Sequence, residues 1–93
     1  MTAPDPVPVP PTPMQIVGAR IRDLRISHRM TQGALASKCF VHQVTVSEWE
    51  RGLKTPGWLG SPSNRELVAQ ALGLPVTYVF REVLDDEARR AVA

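Results

Sequence analysis

The sequence predicts an all-α protein, and three observations carry that prediction. Apolar residues recur three and four positions apart in several short stretches, as on one face of a helix. Those stretches begin at capping signatures, Thr12 with Gln15 and Ser63 with Glu66, and stop at glycines, Gly52 and Gly73. No β-hairpin signal and no internal repeat interrupts them.

The 93 residues suffice for one small domain, which buries only ~60% of the surface its unfolded chain exposes. Residues 1–13 hold six of the nine prolines and a single charge, Asp5. Such a segment makes neither helix nor sheet ladder, so it reads as a disordered, extended arm. Thr12 caps the first helix, with Pro13 at its first position, and the helix runs to about His28 on a stripe of Val17, Ile21 and Leu24. Thr31 caps a second helix through about Lys38 that buries Leu35 and Ala36. A third opens near His42, buries Val46 and Trp49, and ends at Gly52. Gly57, Gly60 and Pro62 mark a loop around Trp58 and Leu59. The fourth helix runs from Ser63 to Leu72, and the fifth opens at Pro75 over Val76 and Val79. The domains so delimited are an arm at 1–13, a compact five-helix domain at 14–80, and an acidic helical extension at 81–93.

Charge is unevenly spread. Residues 14–65 carry eight basic side chains against three carboxylates, and residues 66–93 carry three against five, within a net charge of +2. A basic first half suits a protein that presents one face to a polyanion. No apolar run approaches the roughly 18 residues of a membrane span, and the chain does not open on a signal-peptide pattern, so a cytoplasmic protein with no membrane partner is expected. Cys39, the single cysteine, excludes an intrachain disulfide and a cysteine zinc cluster. Cys39 and His42 have metal-like spacing but lack a second ligand pair, and they read as a core residue beside a surface histidine. His42, Ser47 and Glu48 point in different directions along a helix and cannot converge on a substrate. No catalytic residue, cofactor or metal is therefore expected.

The second and third helices, joined by Cys39-Phe40-Val41, carry a sharper signal. LASKCFVHQVTVSEWERG, residues 35–52, resembles the lambda repressor and Cro-like helix-turn-helix family. The similarity extends upstream through VGARIRDLR at 17–25 and MTQ at 30–32, and downstream through Ala69, Leu72 and Gly73. It implies five helices around one core, a motif at 31–52, and the third helix as the reader of the major groove. By that resemblance Gln43, Val44, Thr45 and Glu48 face bases. Gln32, Arg51, Lys54 and Thr55 contact the DNA backbone, and Arg25 with Glu50 forms a structural ion pair. The sequence departs from the family at three places. Arg29 and Phe40 stand where glycine is common, and each costs on the order of 1 kcal/mol if the left-handed geometry is kept; a reshaped turn would instead tilt the third helix. His42 replaces a serine or threonine cap. The loop from Leu53 to Pro62 is about four residues longer than usual.

The implied function is a sequence-specific transcription regulator, a repressor in the manner of phage repressors, Cro proteins or small bacterial regulators of this family. Its partner is a double-stranded DNA operator, met as a homodimer through residues 76–92. The alternative is an antitoxin that represses its own operon and holds a toxin through the arm, the Trp58 loop or the acidic end. A third reading is an adaptor that uses the same fold without binding DNA.

Overall fold

The computed structural model describes residues 9–92, and the expectation for residues 1–8 lies outside them. Six helices follow in order: α1 (Pro13–Ser27), α2 (Gln32–Lys38), α3 (Gln43–Glu50), α4 (Asn64–Leu72), α5 (Val76–Val79) and α6 (Arg81–Val92). The described residues contain no strand.

The starts follow the capping chemistry. Thr12 Oγ1 accepts the Gln15 N–H at 3.1 Å, and Gln15 Oε1 accepts the Thr12 N–H at 2.9 Å, which satisfies amides that α1 leaves open at its first turn. Pro13 takes the first position of α1, as its place after Thr12 predicts, so the helix begins at the last residue of the 1–13 arm. Thr31 Oγ1 accepts the Ala34 N–H at 3.0 Å, and Ser63 Oγ accepts the Glu66 N–H at 3.3 Å. His42 precedes α3 with no side-chain cap bond.

The ends share one device. After α1, α2 and α3 the chain closes in a Schellman motif. In each, the last N–H reaches back over five residues: Met30 to Arg25 O at 3.0 Å, Val41 to Ala36 O at 3.0 Å, and Leu53 to Glu48 O at 3.0 Å. Leu74 makes the matching bond to Ala69 O at 3.1 Å after α4. The motif needs one left-handed residue. Gly52 and Gly73 supply it at φ 74° and 70°, and Arg29 and Phe40 supply it at φ 56° and 57°. The turn is therefore not reshaped around the two non-glycine residues; both keep left-handed geometry and bear its strain.

Val17 and Ile21 of α1, Leu35 and Ala36 of α2, Val46 and Trp49 of α3, and Val68 and Leu72 of α4 meet in one core, with Cys39 among them. Val79, Phe80 and Val83 close it from below. The fifth helix opens after Pro75 over Val76 and Val79, and residues 81–92 are helical, as expected. The fifth helix is a single turn, because Phe80 leaves helical geometry at φ −108°, ψ 19° to drop its ring into the core. Residues 81–92 then form a separate sixth helix that packs on α1 through buried Val83, so this segment is part of the domain body. Arg20 of α1 forks onto Glu82 of α6 at 2.6 and 2.8 Å. The pairing raises the Arg20 pKa and lowers that of Glu82. With Val79, Phe80 and Val83 buried, the 76–92 segment offers far less apolar surface to a second copy than its composition suggests; Tyr78 remains exposed, and Val76 and Leu84 partly so.

Candidate nucleic-acid interface

The position of α3 is fixed from three sides. Val46 and Trp49 anchor its inner face in the core. Gly18 brings α1 into backbone contact with its end: a Cβ at that position would lie 2.8 Å from the Glu50 carbonyl oxygen and closer still to that of Trp49. The third hold is electrostatic. Arg25 Nε and Nη2 donate to the two carboxylate oxygens of Glu50 at 2.6 and 3.0 Å, and Gln32 Nε2 adds a bond to Glu50 Oε1 at 3.1 Å. Arg25 Nη1 donates to the Met30 carbonyl at 2.8 Å, so one guanidinium ties α1, the turn before α2 and the end of α3 together. Pairing raises the Arg25 pKa, the Glu50 hydrogen bonds being the largest cause. Both side chains are largely buried, where such a fork is strong and its partners depend on each other.

What α3 turns outward is mostly uncharged and directional. Gln43 and Val44 are exposed, Val44 at 63%, while Thr45, Ser47 and Glu48 are partly exposed. Gln43, Val44, Ser47 and Glu48 lie one helical turn apart in pairs and share one face. Glu48 Oε2 sits 3.5 Å from Lys54 Nζ, so the carboxylate at the rim of this face already has a cation beside it. Arg51 projects beyond the helix end, its Nε donating to the Ser47 carbonyl at 3.4 Å, and Lys54 projects from the loop that follows.

The structure thus gathers Gln43, Val44 and Glu48 on one surface, with the partly exposed Thr45 at its edge and Arg51 and Lys54 on its flank. Gln32 stands at the start of α2 with its amide engaged by Glu50. Thr55 does not join them: its hydroxyl is buried in the loop and makes no hydrogen bond.

Residues 21–57 match the helix-turn-helix family profile. The solved structure of the clp gene regulator ClgR from Corynebacterium glutamicum is 30% identical to the chain, covers 88% of it and 83% of itself, and superimposes with a TM-score of 0.64. The chain belongs to the helix-turn-helix family. Members of this Cro-type helix-turn-helix family bind double-stranded DNA. A hypothetical transcription factor NHTF from Neisseria is also similar to this helix-turn-helix protein, at 26% identity over 85% of this chain and 86% of that one, with a TM-score of 0.61. The restriction-modification controller protein C.AhdI from Aeromonas hydrophila shares the fold at 24% identity, covering 71% of this chain and 94% of its own, with a TM-score of 0.62. No curated protein sequence matches the chain.

Among the described residues no helix is long and apolar enough to cross a membrane, and no group of His, Cys, Asp and Glu side chains is placed to hold a metal ion.

Sequence reasoning missed Arg65. This first-turn residue of α4 is 2% exposed and makes bonds to both the Trp58 loop and α6. A charged residue at a helix start reads as surface, and only the distant carboxylate at Glu87 and the aromatic pair Trp58 and Phe80 hint otherwise.

Proposed function

We propose that this helix-turn-helix regulator represses transcription by placing α3 in the major groove of a specific operator, which it meets as a symmetric pair. The observation that carries the reading is the outward face of α3, held rigidly from behind and flanked by Arg51 and Lys54. Gln43 has the amide that forks onto adenine, Val44 packs on a thymine methyl, Glu48 accepts from the cytosine amino group, and Thr45 adds a hydroxyl and a methyl. Lys54 neutralises Glu48 in the free protein and can transfer to a phosphate when a cytosine amino group replaces it. Gln32, Arg51 and Lys54 serve the backbone and set register. Thr55, its hydroxyl buried, contributes through the course of the loop.

Pairing follows from the reach of one recognition helix. A single helix reads only a few base pairs, and two half-sites about one helical turn apart multiply the discrimination. Tyr78 and Val92, exposed, and Val76 and Leu84, partly so, are the larger apolar side chains that α5 and α6 leave for it.

Selection of bound sites from random duplexes tests the reading. A palindromic site is expected, with Gln43→Ala costing ~1–3 kcal/mol mainly on the preferred sequence. If Gln43→Ala and Glu48→Ala both keep the parent's ranking of single-base operator variants, α3 is not the reader.

One observation favours a protein partner as well. Leu59 at the tip of the long loop is 94% exposed, with Trp58 and Leu53 also in solvent. A loop so apolar suits the antitoxin reading, in which a toxin covers it. Copurification from the native host with a stoichiometric small protein supports that reading, and isolation of the chain alone removes it.

A further inference from the structure

Arg65 is the largest fully buried side chain among the described residues, and its donors are directed at two separate elements. Its Nε–H donates to the Pro56 carbonyl at 2.6 Å. Its Nη1 and Nη2 fork onto the two carboxylate oxygens of Glu87 on α6, both at 2.7 Å. The guanidinium lies 4.6 Å from the Trp58 ring centre and 5.6 Å from that of Phe80. The Arg65 backbone N–H donates to the Gly57 carbonyl at 3.4 Å. One residue therefore grips the loop at positions 56, 57 and 58 while a carboxylate of the last helix holds it from the other side.

Packing alone does not call for this arrangement. A buried ion pair can commonly be replaced by apolar residues of similar volume without loss of stability. A forked guanidinium adds direction, because its donors fix the relative positions of the groups they meet. What is fixed here is the loop that carries Lys54, two residues before the gripped Pro56 carbonyl and thus at most about 7 Å of chain away. Lys54 stands at the edge of the α3 face, beside Glu48.

We infer that Arg65 and Glu87 form a positioning clamp through which α6 holds the Lys54 loop against the DNA backbone. The clamp touches no DNA itself. It rests on the DNA-binding reading above, and it gives α6 an influence on an interface built by α3 and the loop. Glu87 is 45% exposed, so the outer half of the clamp is open to solvent and can be altered without opening the core.

The test is the salt dependence of binding by the full chain to a fluorescent mixed-sequence duplex, for the parent, Lys54→Ala, Glu87→Gln and the double variant. Lys54→Ala is expected to lower the log–log salt slope by about one unit, as for one lost phosphate contact. Glu87→Gln, although far from DNA, is expected to lower it by a comparable amount, and the double variant is expected to fall no further than either single one. Arg65→Lys, which keeps the charge and loses the fork, should behave like Glu87→Gln. A purely structural role would move the melting temperature and leave the slope alone. Should Glu87→Gln melt below the assay temperature, Glu87→Asp, which keeps the charge and shortens the reach by one methylene, is read by the same outcomes. The clamp is overturned if the parent slope survives Glu87→Gln while Lys54→Ala lowers it, or if the double variant shows the sum of two losses. A parent with no salt-dependent duplex binding overturns the DNA reading, and the clamp with it.

Discussion

Replacing Phe40 by glycine should stabilise this protein, and the sign of the effect tests the geometry of the turn between α2 and α3. Phe40 holds φ 57° at the left-handed position of the motif that ends α2. An L-residue there carries roughly 1–2 kcal/mol of strain from its own Cβ. Glycine removes that strain but gives up about 0.5–1 kcal/mol of backbone entropy. The side chain is 84% exposed, so its removal forfeits little packing. The net expectation is a gain of about 0.5–1 kcal/mol, or a rise in Tm of roughly 2–8 °C for a domain of this length. Arg29→Gly, at φ 56° and on an exposed residue, should add a similar increment. Thermal unfolding followed by circular dichroism measures both. Phe40→Ala is the control, since it removes the ring and keeps the strain, and it should fall within about 0.5 kcal/mol of the parent. If Phe40→Gly lowers Tm, as glycine does at an ordinary helical position, the residue is not left-handed in solution and the reasoning fails.

Three further outcomes follow from the packing and charge of the domain. Glu50→Ala leaves the Arg25 guanidinium buried without its partner and should cost ~3–5 kcal/mol in urea unfolding; a loss under 1 kcal/mol would show the pair to be solvated. Gly18→Ala places a methyl group against the carbonyls of Trp49 and Glu50, which are backbone and yield poorly, so about 1–3 kcal/mol should be lost, and an unchanged Tm would show that α1 and α3 do not meet in backbone contact. Glu82 and Glu87 are held below the ordinary carboxylate value near 4.5 by Arg20 and Arg65. Their contribution is complete above pH 4.5 and is lost as pH falls through the lower folded values, because the unfolded chain takes up those protons first. Tm of Glu82→Gln/Glu87→Gln should therefore fall less steeply than the parent's below that pH, and parallel curves would count against both pairs.

Much of the fold can be read in local chemistry, for a physical reason. Thr12 with Gln15, Thr31, Ser63, Gly52 and Gly73 act within one turn of their own positions, so a linear reading reaches the starts of α1, α2 and α4 and the ends of α3 and α4. Phe80 marks where that reading stops. Its ring leaves the helix for a core built by residues far along the chain, and nothing nearby in sequence shows that α5 must break there. The interface divides in the same way. Gln43, Val44 and Glu48 share a face because helical spacing alone puts them on it. The burial of Thr55, by contrast, depends on how an irregular loop folds back. Arg65 is the extreme case, since its partners lie nine and 22 residues away and no spacing rule joins them.

Cys39 has a practical consequence. Its side chain lies in the core under the helix-turn-helix, and burial pushes the thiol up to about 11. Alkylating reagents attack the thiolate, which at neutral pH is then both scarce and shielded. A dye-reactive cysteine introduced at Leu59 would accordingly be modified alone, with the native thiol left in place, and would report on the loop tip by itself. Under mild denaturant the roles reverse. The native thiol becomes reactive only in molecules whose core has opened, so its modification rate follows the population of that opened state when reclosing is fast. The chain carries one internal clock for its own unfolding, and it can be read in the presence or absence of DNA without altering a single residue.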